Sequence, residues 1–436
     1  MTSSISLKQK QFWLDTVESD AAEPVRPLPE KVDVVVIGAG FTGLSAARVL
    51  AKRGAHVAVL EAETIGWGAS SRNGGMVLTG LKRSAADLLK KYGREMARRM
   101  FAASLASIDC VEQIVREEDI SCDFSRCGHL EVAWKPSHFT HYLQAAEIMQ
   151  REFGHRVAII PRNRLGSEIG SDLFHGGLVD EISAGLNPGR YVAGLGRAAI
   201  RAGACLCEHT RVSHIEKITA QGQPRFRLHT SRGPVTACDV FAATSGYTGA
   251  ATPALRRKVI PIGSFIVVTD VLSEDAAAKA SPRNRMIFDS KNFLWYWRLT
   301  PDRRMLFGGR AAFFPENSNT IRRSARILHD AMLRTYPYLR DAKIEYAWGG
   351  TLDFAFDVMP HAGQLDGIYY AVGYAGHGVA MATHLGARMG ERMAGSPGDN
   401  PFTDIPFPGA PLGLYGGSAW FLPLAGAYFK VLDWVS

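Results

Sequence analysis

One segment near the N-terminus permits very few folds, because it joins a buried strand, spaced glycines, a helix and a second strand. The β-branched run at residues 32–37 is typical of a strand covered on both faces of a parallel sheet. Gly38, Gly40 and Gly43 follow in GxGxxG spacing. An Ala- and Leu-rich stretch then reaches residue 53, and residues 56–61 form the second strand. This order predicts a Rossmann-type dinucleotide-binding unit.

Each residue of this motif has a separate physical task. Gly38 permits the tight turn, Gly40 lets a pyrophosphate approach the backbone, and Gly43 lets the helix pack closely on the sheet. The helix N-terminus offers free N–H groups to the anion. Glu61, at the end of the second strand, can accept hydrogen bonds from ribose hydroxyls and disfavours a 2′-phosphate. The motif alone leaves FAD and NAD both open.

A second glycine cluster, "GWGASSRNGGM" at residues 66–76, has neither helical nor strand periodicity. Glycine loses more backbone entropy on folding than other residues, so this density suggests that a ligand lies close to the chain. A plain glycine-rich surface loop is the alternative.

With this loop added to the first motif, the chain resembles the D-amino-acid oxidase-like flavoprotein superfamily. It is similar above all to the amine oxidase branch that includes gamma-glutamylputrescine oxidases. The resemblance implies FAD, with Ala69, Ser70 and Ser71 on the diphosphate. It also implies that Arg72, Asn73, Gly74 and Gly75 run along the isoalloxazine.

Later segments extend the resemblance over nearly the whole chain. It implies that the backbone of Val212 approaches the adenine, and that a turn at residues 244–246 approaches the diphosphate. It also implies that a helix starting near residue 378 points its positive N-terminal end at the flavin pyrimidine edge. The predicted cofactor-binding residues are therefore Gly38, Gly40, Phe41, Thr42, Gly43, Glu61, Ala62, Ala69, Ser70, Ser71, Arg72, Asn73, Gly74, Gly75, Val212, Thr244, Ser245, Gly246, Gly376, His377, Gly378 and Val379.

Between these blocks the patterns change to antiparallel strands flanked by amphipathic helices. Strands are predicted at residues 127–134, 263–272, 284–289, 293–300 and 304–310, and helices at 84–118, 139–152 and 318–335. We predict an α/β fold in which a Rossmann-type FAD-binding domain adjoins a substrate domain built on a mixed, largely antiparallel sheet. The FAD-binding domain is predicted at 1–90, 155–258 and 345–436, and the substrate domain at 91–154 and 259–344, with substrate bound between them.

Four residues are predicted to take part in the chemistry. His377 lies between two glycines at the helix start, and Arg72 could neutralise reduced flavin or a substrate carboxylate. Tyr296 and Arg298 share one face of a strand, with Trp297 on the other, and one of these faces is predicted to line the pocket. A structural histidine, a diphosphate-binding arginine and core aromatics are the respective alternatives.

Two departures from the sarcosine oxidases bear on cofactor and substrate. Those enzymes have a carboxylate-binding lysine after the glycine turn, where this chain has Val379 and Ala380. They attach flavin through a cysteine before the last strand, whereas residues 348–352 contain none, and the 70–75 loop has no histidine. We therefore predict non-covalent FAD and a substrate that is not held there by an α-carboxylate.

Composition limits the remaining functions. The formal charge is +8, but the basic residues are scattered and accompany no nucleic-acid-binding motif. The six cysteines form no CxxC pair, so we expect no metal site and a cytoplasmic location, with no signal peptide. The apolar segment at 418–435 contains Pro423, Lys430 and Asp433, and is predicted to pack on the protein rather than span a membrane.

The sequence thus predicts an FAD-dependent oxidase acting on the C–N bond of an amine such as gamma-glutamylputrescine. The imine would hydrolyse to an aldehyde, and O2 would be reduced to H2O2. A quinone-linked dehydrogenase would instead pass its electrons to another acceptor. An oxidase or dehydrogenase of glycine, sarcosine or D-amino acids, and a non-catalytic FAD-binding subunit, are the alternatives. The oligomeric state stays undetermined.

Overall fold

The computed structural model describes residues 7–17, 27–220, 222–309, 317–413, 415–417 and 421–422. The predicted packing of the apolar 418–435 segment lies almost wholly outside these residues. Two large mixed sheets organise the described chain, and each has its own hydrophobic core. The fold is therefore the predicted α/β arrangement of a Rossmann-type sheet and a second, largely antiparallel sheet.

The first sheet is built on the strand that the opening motif predicts. Its strands are β1 (Lys31–Ile37), β2 (Val57–Leu60), β8 (Cys205–Cys207), β9 (Val212–Ala220), β10 (Gln223–Thr230), β11 (Gly233–Ala242), β17 (His361–Leu365) and β18 (Ile368–Val372). They run in the order β17-β18-β11-β1-β2-β8, and the β9–β10 hairpin joins at β11. The pairs β1–β2, β1–β11, β2–β8 and β11–β18 are parallel, which explains why β1 is apolar from Val34 to Ile37.

Helices cover this sheet, and side chains cap the N-termini of two of them. The α-helices of the described residues are α1 (Phe41–Lys52), α2 (Ala69–Arg72), α3 (Ala85–Glu117), α4 (Pro136–Ile148), α5 (Pro188–Arg201), α6 (Pro253–Arg256), α7 (Glu274–Ala280), α8 (Ser318–Thr335) and α9 (Gly378–Met393). Ser84 caps α3 by accepting from the Asp87 N–H, and Asn187 caps α5 by accepting from the Arg190 N–H. Helices α1, α3, α5 and α9 share the first hydrophobic core.

The second sheet confirms the predicted strands and adds three. Its members are β4 (His129–Val132), β5 (Ala158–Pro161), β6 (Gly176–Asp180), β12 (Val259–Val271), β13 (Met286–Asp289), β14 (Trp295–Leu299), β15 (Arg304–Gly309) and β16 (Ile344–Ala355). Their order is β16-β12-β15-β14-β13-β4-β6-β5, and only β13 and β4 are parallel. A short ribbon of β3 (Met76–Val77) and β7 (Ala184–Gly185) lies beside it.

Sheet membership differs from the predicted domain limits in two places. Residues 158–180 were predicted in the FAD-binding domain, but β5 and β6 extend the second sheet through β4. Strand β16 also pairs with β12, so residues 345–355 belong to the second sheet. These pairings join strands far apart in sequence, which a local pattern does not register. The domain limits otherwise stay a prediction.

Each face of the second sheet has a different environment. One face packs on α7 and α8 through residues such as Leu130, Trp297 and Phe307. The opposite face carries Leu306 and Trp348, which pack against Phe12 and Trp13 of the N-terminal segment. This opposite face, referred to below as the inner face, is turned towards the glycine loop at residues 66–76.

Acidification is expected to destabilise the fold through His384 of α9. Burial, with Arg388 nearby, lowers the pKa of His384 to about 4. The unfolded chain therefore takes up this proton first, so its contribution to stability is complete above pH 6.5 and is lost as the pH falls towards 4. We expect His384→Leu to reduce the pH slope of the unfolding free energy by up to about 1.4 kcal/mol per pH unit. Urea titrations between pH 4.5 and 7.5 test this, with exposed His141→Leu as the control; equal slopes would contradict it.

Candidate active site

A cavity of about 660 Å³ opens where β1 ends and α1 begins. Its volume lies within the range of small-molecule sites. The wall combines the GxGxxG turn, the end of β2, the glycine loop and the start of α9, which lie far apart in the sequence. Of the predicted cofactor-binding residues, those lining it are Gly38, Gly40, Phe41, Thr42, Glu61, Ala62, Ala69, Ser70, Asn73, Val212, Thr244, Ser245, Gly376, Gly378 and Val379.

The turn after β1 leaves no room for side chains. Gly38 has a φ of +104°, and a Cβ on it would lie 2.8 Å from the Ala243 carbonyl oxygen. A Cβ on Gly40 would lie 2.8 Å from Ser70 Oγ, which accepts from the Phe41 N–H at 2.9 Å. Both positions therefore require glycine, and the turn presents backbone atoms to the cavity.

The Glu61 side chain forms hydrogen bonds with backbone N–H groups at this turn. Its carboxylate accepts from the Ala39 N–H at 2.8 Å and from the Glu63 N–H at 2.9 Å. Burial raises the pKa of Glu61, although the two N–H groups oppose that shift. The side chain lines the cavity, and its role as an acceptor of ribose hydroxyls stays a prediction.

Two helices begin at the cavity wall at N-cap residues that supply no side-chain cap, although Ser70 Oγ accepts from the Phe41 N–H of α1. The N-cap positions of α1 and α9 are Gly40 and His377, and neither side chain caps its helix. Gly378 and Val379, the first residues of α9, line the cavity. Uncapped N–H groups and the positive end of a helix favour an anion or a developing negative charge.

The glycine loop is more ordered than its sequence indicated. Residues 69–72 form the single turn α2, and β3 follows at Met76. The Asn73 side chain donates to the carbonyls of Ala69 and Ser70 and accepts from the Gly75 N–H at 2.7 Å. These bonds replace the periodic pattern that a helix or strand would show, which is why periodicity did not reveal them.

Some predicted cofactor residues lie behind the cavity wall rather than on it. A Cβ on Gly43 would lie 2.0 Å from the Gly38 carbonyl oxygen, and one on Gly246 would lie 2.8 Å from that of Leu352. Ser71 is buried and donates to the Gly66 carbonyl at 2.6 Å. The residues of this kind are Gly43, Ser71, Arg72, Gly74, Gly75, Gly246 and His377. Their role in cofactor binding stays a prediction.

Both arginines predicted to take part in the chemistry bind backbone carbonyls. Arg72 donates to Trp67 O at 2.8 Å and to Gly349 O at 2.9 Å. Arg298 donates through Nη1 to Gly75 O at 3.1 Å and to Leu186 O at 2.9 Å. Burial lowers the pKa of Arg298 to about 10, so it stays charged at neutral pH. Each arginine fastens the glycine loop to another element.

Tyr296 and His377 lie outside the cavity wall, towards the inner face of the second sheet. A Cβ on Gly74 would lie 3.2 Å from the Tyr296 ring, and the Tyr296 hydroxyl lies 3.3 Å from Ser264 Oγ. The pKa of His377 is lowered to about 3 by burial, then by Lys82 and His129. Its Nδ1 has no hydrogen-bond partner among the described residues. A neutral imidazole is thus available at this position.

Several cavity residues were not predicted from the sequence. Trp67 and Tyr247 form an edge-on pair at the cavity, with ring centroids 5.5 Å apart. Tyr374 also lines it, and its hydroxyl lies 2.8 Å from Thr42 Oγ1. The strand-to-helix turn after β18 could have indicated that Tyr374 lines the cavity. No local pattern could have indicated that Trp67 contacts Tyr247, which is distant in the sequence.

The N-terminal segment is a further unpredicted contributor. The indole of Trp13 is buried, and its Nε1 donates to the Asn73 carbonyl at 2.8 Å. Lys8 pairs with β16 through the Glu345 carbonyl and the Ala347 N–H, which anchors this segment to the second sheet. Trp13 therefore supports the glycine loop from the side opposite the cavity.

We expect Trp13→Phe to weaken FAD binding about fivefold, because the lost hydrogen bond contributes on the order of 1 kcal/mol. The phenylalanine keeps most of the buried ring area. Fluorescence titration of the apoprotein with FAD measures the change. Trp134→Phe, on the side of the second sheet away from this loop, is the control; an unchanged affinity in Trp13→Phe would show that the loop needs no support from the indole.

The residues of the cavity fit a flavin dinucleotide. Glycines that a Cβ would block, a buried acid and the starts of two helices could supply donors and acceptors for ribose and diphosphate. The wall continues from Glu61 through Asn73 to Gly376, as a long cofactor requires. The described residues contain no group of three or more His, Cys, Asp or Glu placed to hold a metal ion. None of their helices is long and apolar enough to cross a membrane.

Comparison with known proteins agrees with this geometry. Residues 33–392 match the family described as FAD dependent oxidoreductase, DAO. The chain is 33% identical over 359 residues to gamma-glutamylputrescine oxidoreductase of Escherichia coli, covering 82% of each chain. It is 31% identical over 392 residues to the probable oxidoreductase OrdL of Haemophilus influenzae, covering 88% of each.

Solved structures share the fold. Glycine oxidase from Geobacillus kaustophilus superposes with a TM-score of 0.73 at 19% identity, covering 87% of this chain and 99% of the other. L-proline dehydrogenase from P. horikoshii gives a TM-score of 0.67 at 20% identity, with 86% and 98% covered. The chain belongs to the DAO family of FAD-dependent oxidoreductases, and it is an enzyme that uses FAD to oxidise an amine or amino acid.

Proposed function

We propose that the protein is an oxidase of extended amines of the gamma-glutamylputrescine type. In the net reaction, a primary amine, O2 and water give an aldehyde, ammonia and H2O2. The support from relatives is the 33% identity to gamma-glutamylputrescine oxidoreductase over 82% of the chain. The support from geometry is that the two arginines that could bind a substrate carboxylate already bind backbone carbonyls.

The observation that carries the proposal is the engagement of the two arginines. An α-amino acid oxidase needs a cation for the substrate carboxylate, and Arg72 and Arg298 were the candidates. Both bind backbone carbonyls of the loop and its neighbours. At the start of α9, Val379 and Ala380 are buried and apolar. This arrangement favours an amine without a carboxylate next to the reacting carbon.

The chain's own residues then bind, orient and exclude water. When bound, FAD supplies the hydride acceptor for the C–H bond next to nitrogen. The N-terminus of α9 would stabilise negative charge that develops at the cavity, through the N–H groups at Gly378 and Val379. Tyr296 and the neutral His377 would border the reacting carbon, and the inner face of the second sheet would keep water out.

We further propose that FAD is bound non-covalently. The described residues lining the cavity include no cysteine and no histidine, the usual points of flavin attachment named above. Acid precipitation should therefore release all of the flavin into the supernatant. The described cysteines are all free, as expected in the reducing cytoplasm, which is the location that we propose.

The test is an anaerobic absorbance scan of FAD-loaded protein against gamma-glutamylputrescine, putrescine, sarcosine, glycine and D-amino acids. We expect bleaching by the first compound, with colour and H2O2 returning on exposure to air. Bleaching by an amino acid instead would assign the protein to the amino-acid oxidases. Bleaching with electron transfer to a dye but little peroxide would indicate a dehydrogenase. A flavin that nothing bleaches would indicate a non-catalytic FAD-binding protein.

A further inference from the structure

The inner face of the second sheet carries a row of residues that leads away from the glycine loop. In the strand register, Phe288 of β13 pairs with Tyr296 of β14 on one side and with Glu131 of β4 on the other. Strand alternation places all three side chains on the face opposite α7 and α8. Tyr296 lies against Gly74, so the row begins at the loop and ends at Glu131.

This row is less buried than its neighbours. Glu131, Phe288 and Tyr296 are each half-buried. Two residues away on the same strands and the same face, His129, Met286 and Arg298 are buried, with exposures of 6%, 1% and 5%. The difference marks a strip of the inner face that is incompletely covered by the protein itself. Its length from Tyr296 to Glu131 is two strand spacings, or roughly 10 Å.

Glu131 is an unusual residue for such a place. Burial raises its pKa to about 7, and Lys82, Tyr142 and Asp289 are the titratable groups that act on it. A carboxyl group whose pKa is raised by burial becomes fully ionised when a cation binds beside it, because the opposite charge lowers that pKa. Aliphatic ammonium groups have a pKa of about 10 and therefore stay charged across the physiological pH range.

We propose that Glu131 binds an ammonium group at the end of the substrate remote from the reacting C–N bond. The substrate would lie along the row, with its reacting end beside Tyr296 and its chain over Phe288. This inference rests on the proposed amine oxidation and narrows its substrate class. The substrates would be extended amines with a second, charged amine about 10 Å away, such as conjugates of a diamine with an amino acid.

The experiment compares wild type with Glu131→Gln, which keeps the shape of the side chain and removes its charge. Three substrates share one reacting amine: gamma-glutamylputrescine, glutarylputrescine, which lacks only the remote ammonium, and N-acetylputrescine. We expect Glu131→Gln to raise KM for gamma-glutamylputrescine roughly 10- to 100-fold, as for a lost charged hydrogen bond, with kcat nearly unchanged. The KM values for the other two compounds should stay within about twofold. Glu131→Asp, which keeps the charge, should recover part of the loss.

A pH series adds a second readout. In wild type, the ratio of KM for gamma-glutamylputrescine to KM for N-acetylputrescine should rise as the pH falls below about 7, because Glu131 becomes protonated. In Glu131→Gln the ratio should not change with pH. Taking the ratio cancels the titration of the reacting amine, which both substrates share.

Exposed Glu147→Gln, on α4, is the matched control and should behave as wild type. Equal KM changes for all three substrates, or none, would overturn the role of Glu131 while leaving amine oxidation in place. Wild-type flavin that no amine bleaches would overturn the proposed function, and this inference with it. The flavin spectrum and the urea midpoint of each variant check that Glu131→Gln still folds.

Discussion

Replacing Gly43 with alanine is expected to give a protein that unfolds at lower urea concentration and is purified without bound flavin. A Cβ at this position would lie 2.0 Å from the Gly38 carbonyl oxygen and 3.1 Å from Val36 Cγ1. Both the carbonyl and the start of α1 belong to the turn that forms the cavity wall, so neither can move without displacing the other. We expect the free energy of unfolding to fall by about 3 kcal/mol, at the upper end of overpacking effects.

Gly166→Ala is the matched control for this change. Gly166 lies outside the cavity wall, and a Cβ on it would meet no atom within 4 Å. The control should bind one FAD per chain and unfold within about 0.5 kcal/mol of wild type, as surface substitutions usually do. A Gly43→Ala protein with full flavin content and an unchanged urea midpoint would show that α1 does not need this close approach.

The dinucleotide-binding half could be predicted because its signals are local. The strand, the three glycines and Glu61 lie within one short stretch, and a Cβ on Gly43 would meet Gly38 of the same turn, although one on Gly38 would meet Ala243, just after the distant strand β11. The parallel strands β1 and β2 are apolar from Val34 to Ile37 and from Val57 to Leu60, and α9 begins where its glycines predict. In these places the residue types alone indicate the backbone geometry that the chain adopts.

The interdomain side of the site could not be predicted because its contacts join distant positions. Arg298 reads as a polar residue on a strand, and nothing in its neighbourhood reveals that it binds the carbonyls of Gly75 and Leu186. Trp13 reaches Asn73 from the N-terminus in the same way. Strand β6 is buried along its whole length, so its sequence could not indicate which sheet it joins.

These distant contacts share one consequence, which is that the second sheet holds the loop that borders the cofactor cavity. Trp348 Nε1 donates to the Arg72 carbonyl, and Arg72 in turn donates to Gly349 O. Arg298, also on the second sheet, donates to the Gly75 carbonyl at the other end of the loop. The second sheet therefore supports the loop at the predicted cofactor site, and changes in that sheet should alter flavin affinity.

Arg298→Met provides the strongest expected example. The methionine fills a similar volume but leaves the buried Leu186 carbonyl without the arginine donor, and it removes one of two hydrogen bonds to the Gly75 carbonyl, which still accepts from the Leu186 N–H. Each unsatisfied buried acceptor costs about 1–3 kcal/mol. We expect the free energy of unfolding to fall by roughly 2–4 kcal/mol, and the affinity for FAD to fall at least about tenfold as the loop loses its fixed position.

The same variant separates a loop-holding role from a substrate-binding role for Arg298. If the arginine holds the loop, Arg298→Met lowers stability and FAD affinity, and its rates with an amine and with an amino acid fall in the same proportion once FAD is saturating. Exposed Arg326→Met, on α8, should match wild type in both measurements. A variant that keeps its stability and FAD affinity, but loses activity only towards carboxylate-bearing substrates, would instead make Arg298 the carboxylate ligand. That result would remove the main structural reason for preferring an amine over an α-amino acid, because one of the two arginines would then be available to the substrate.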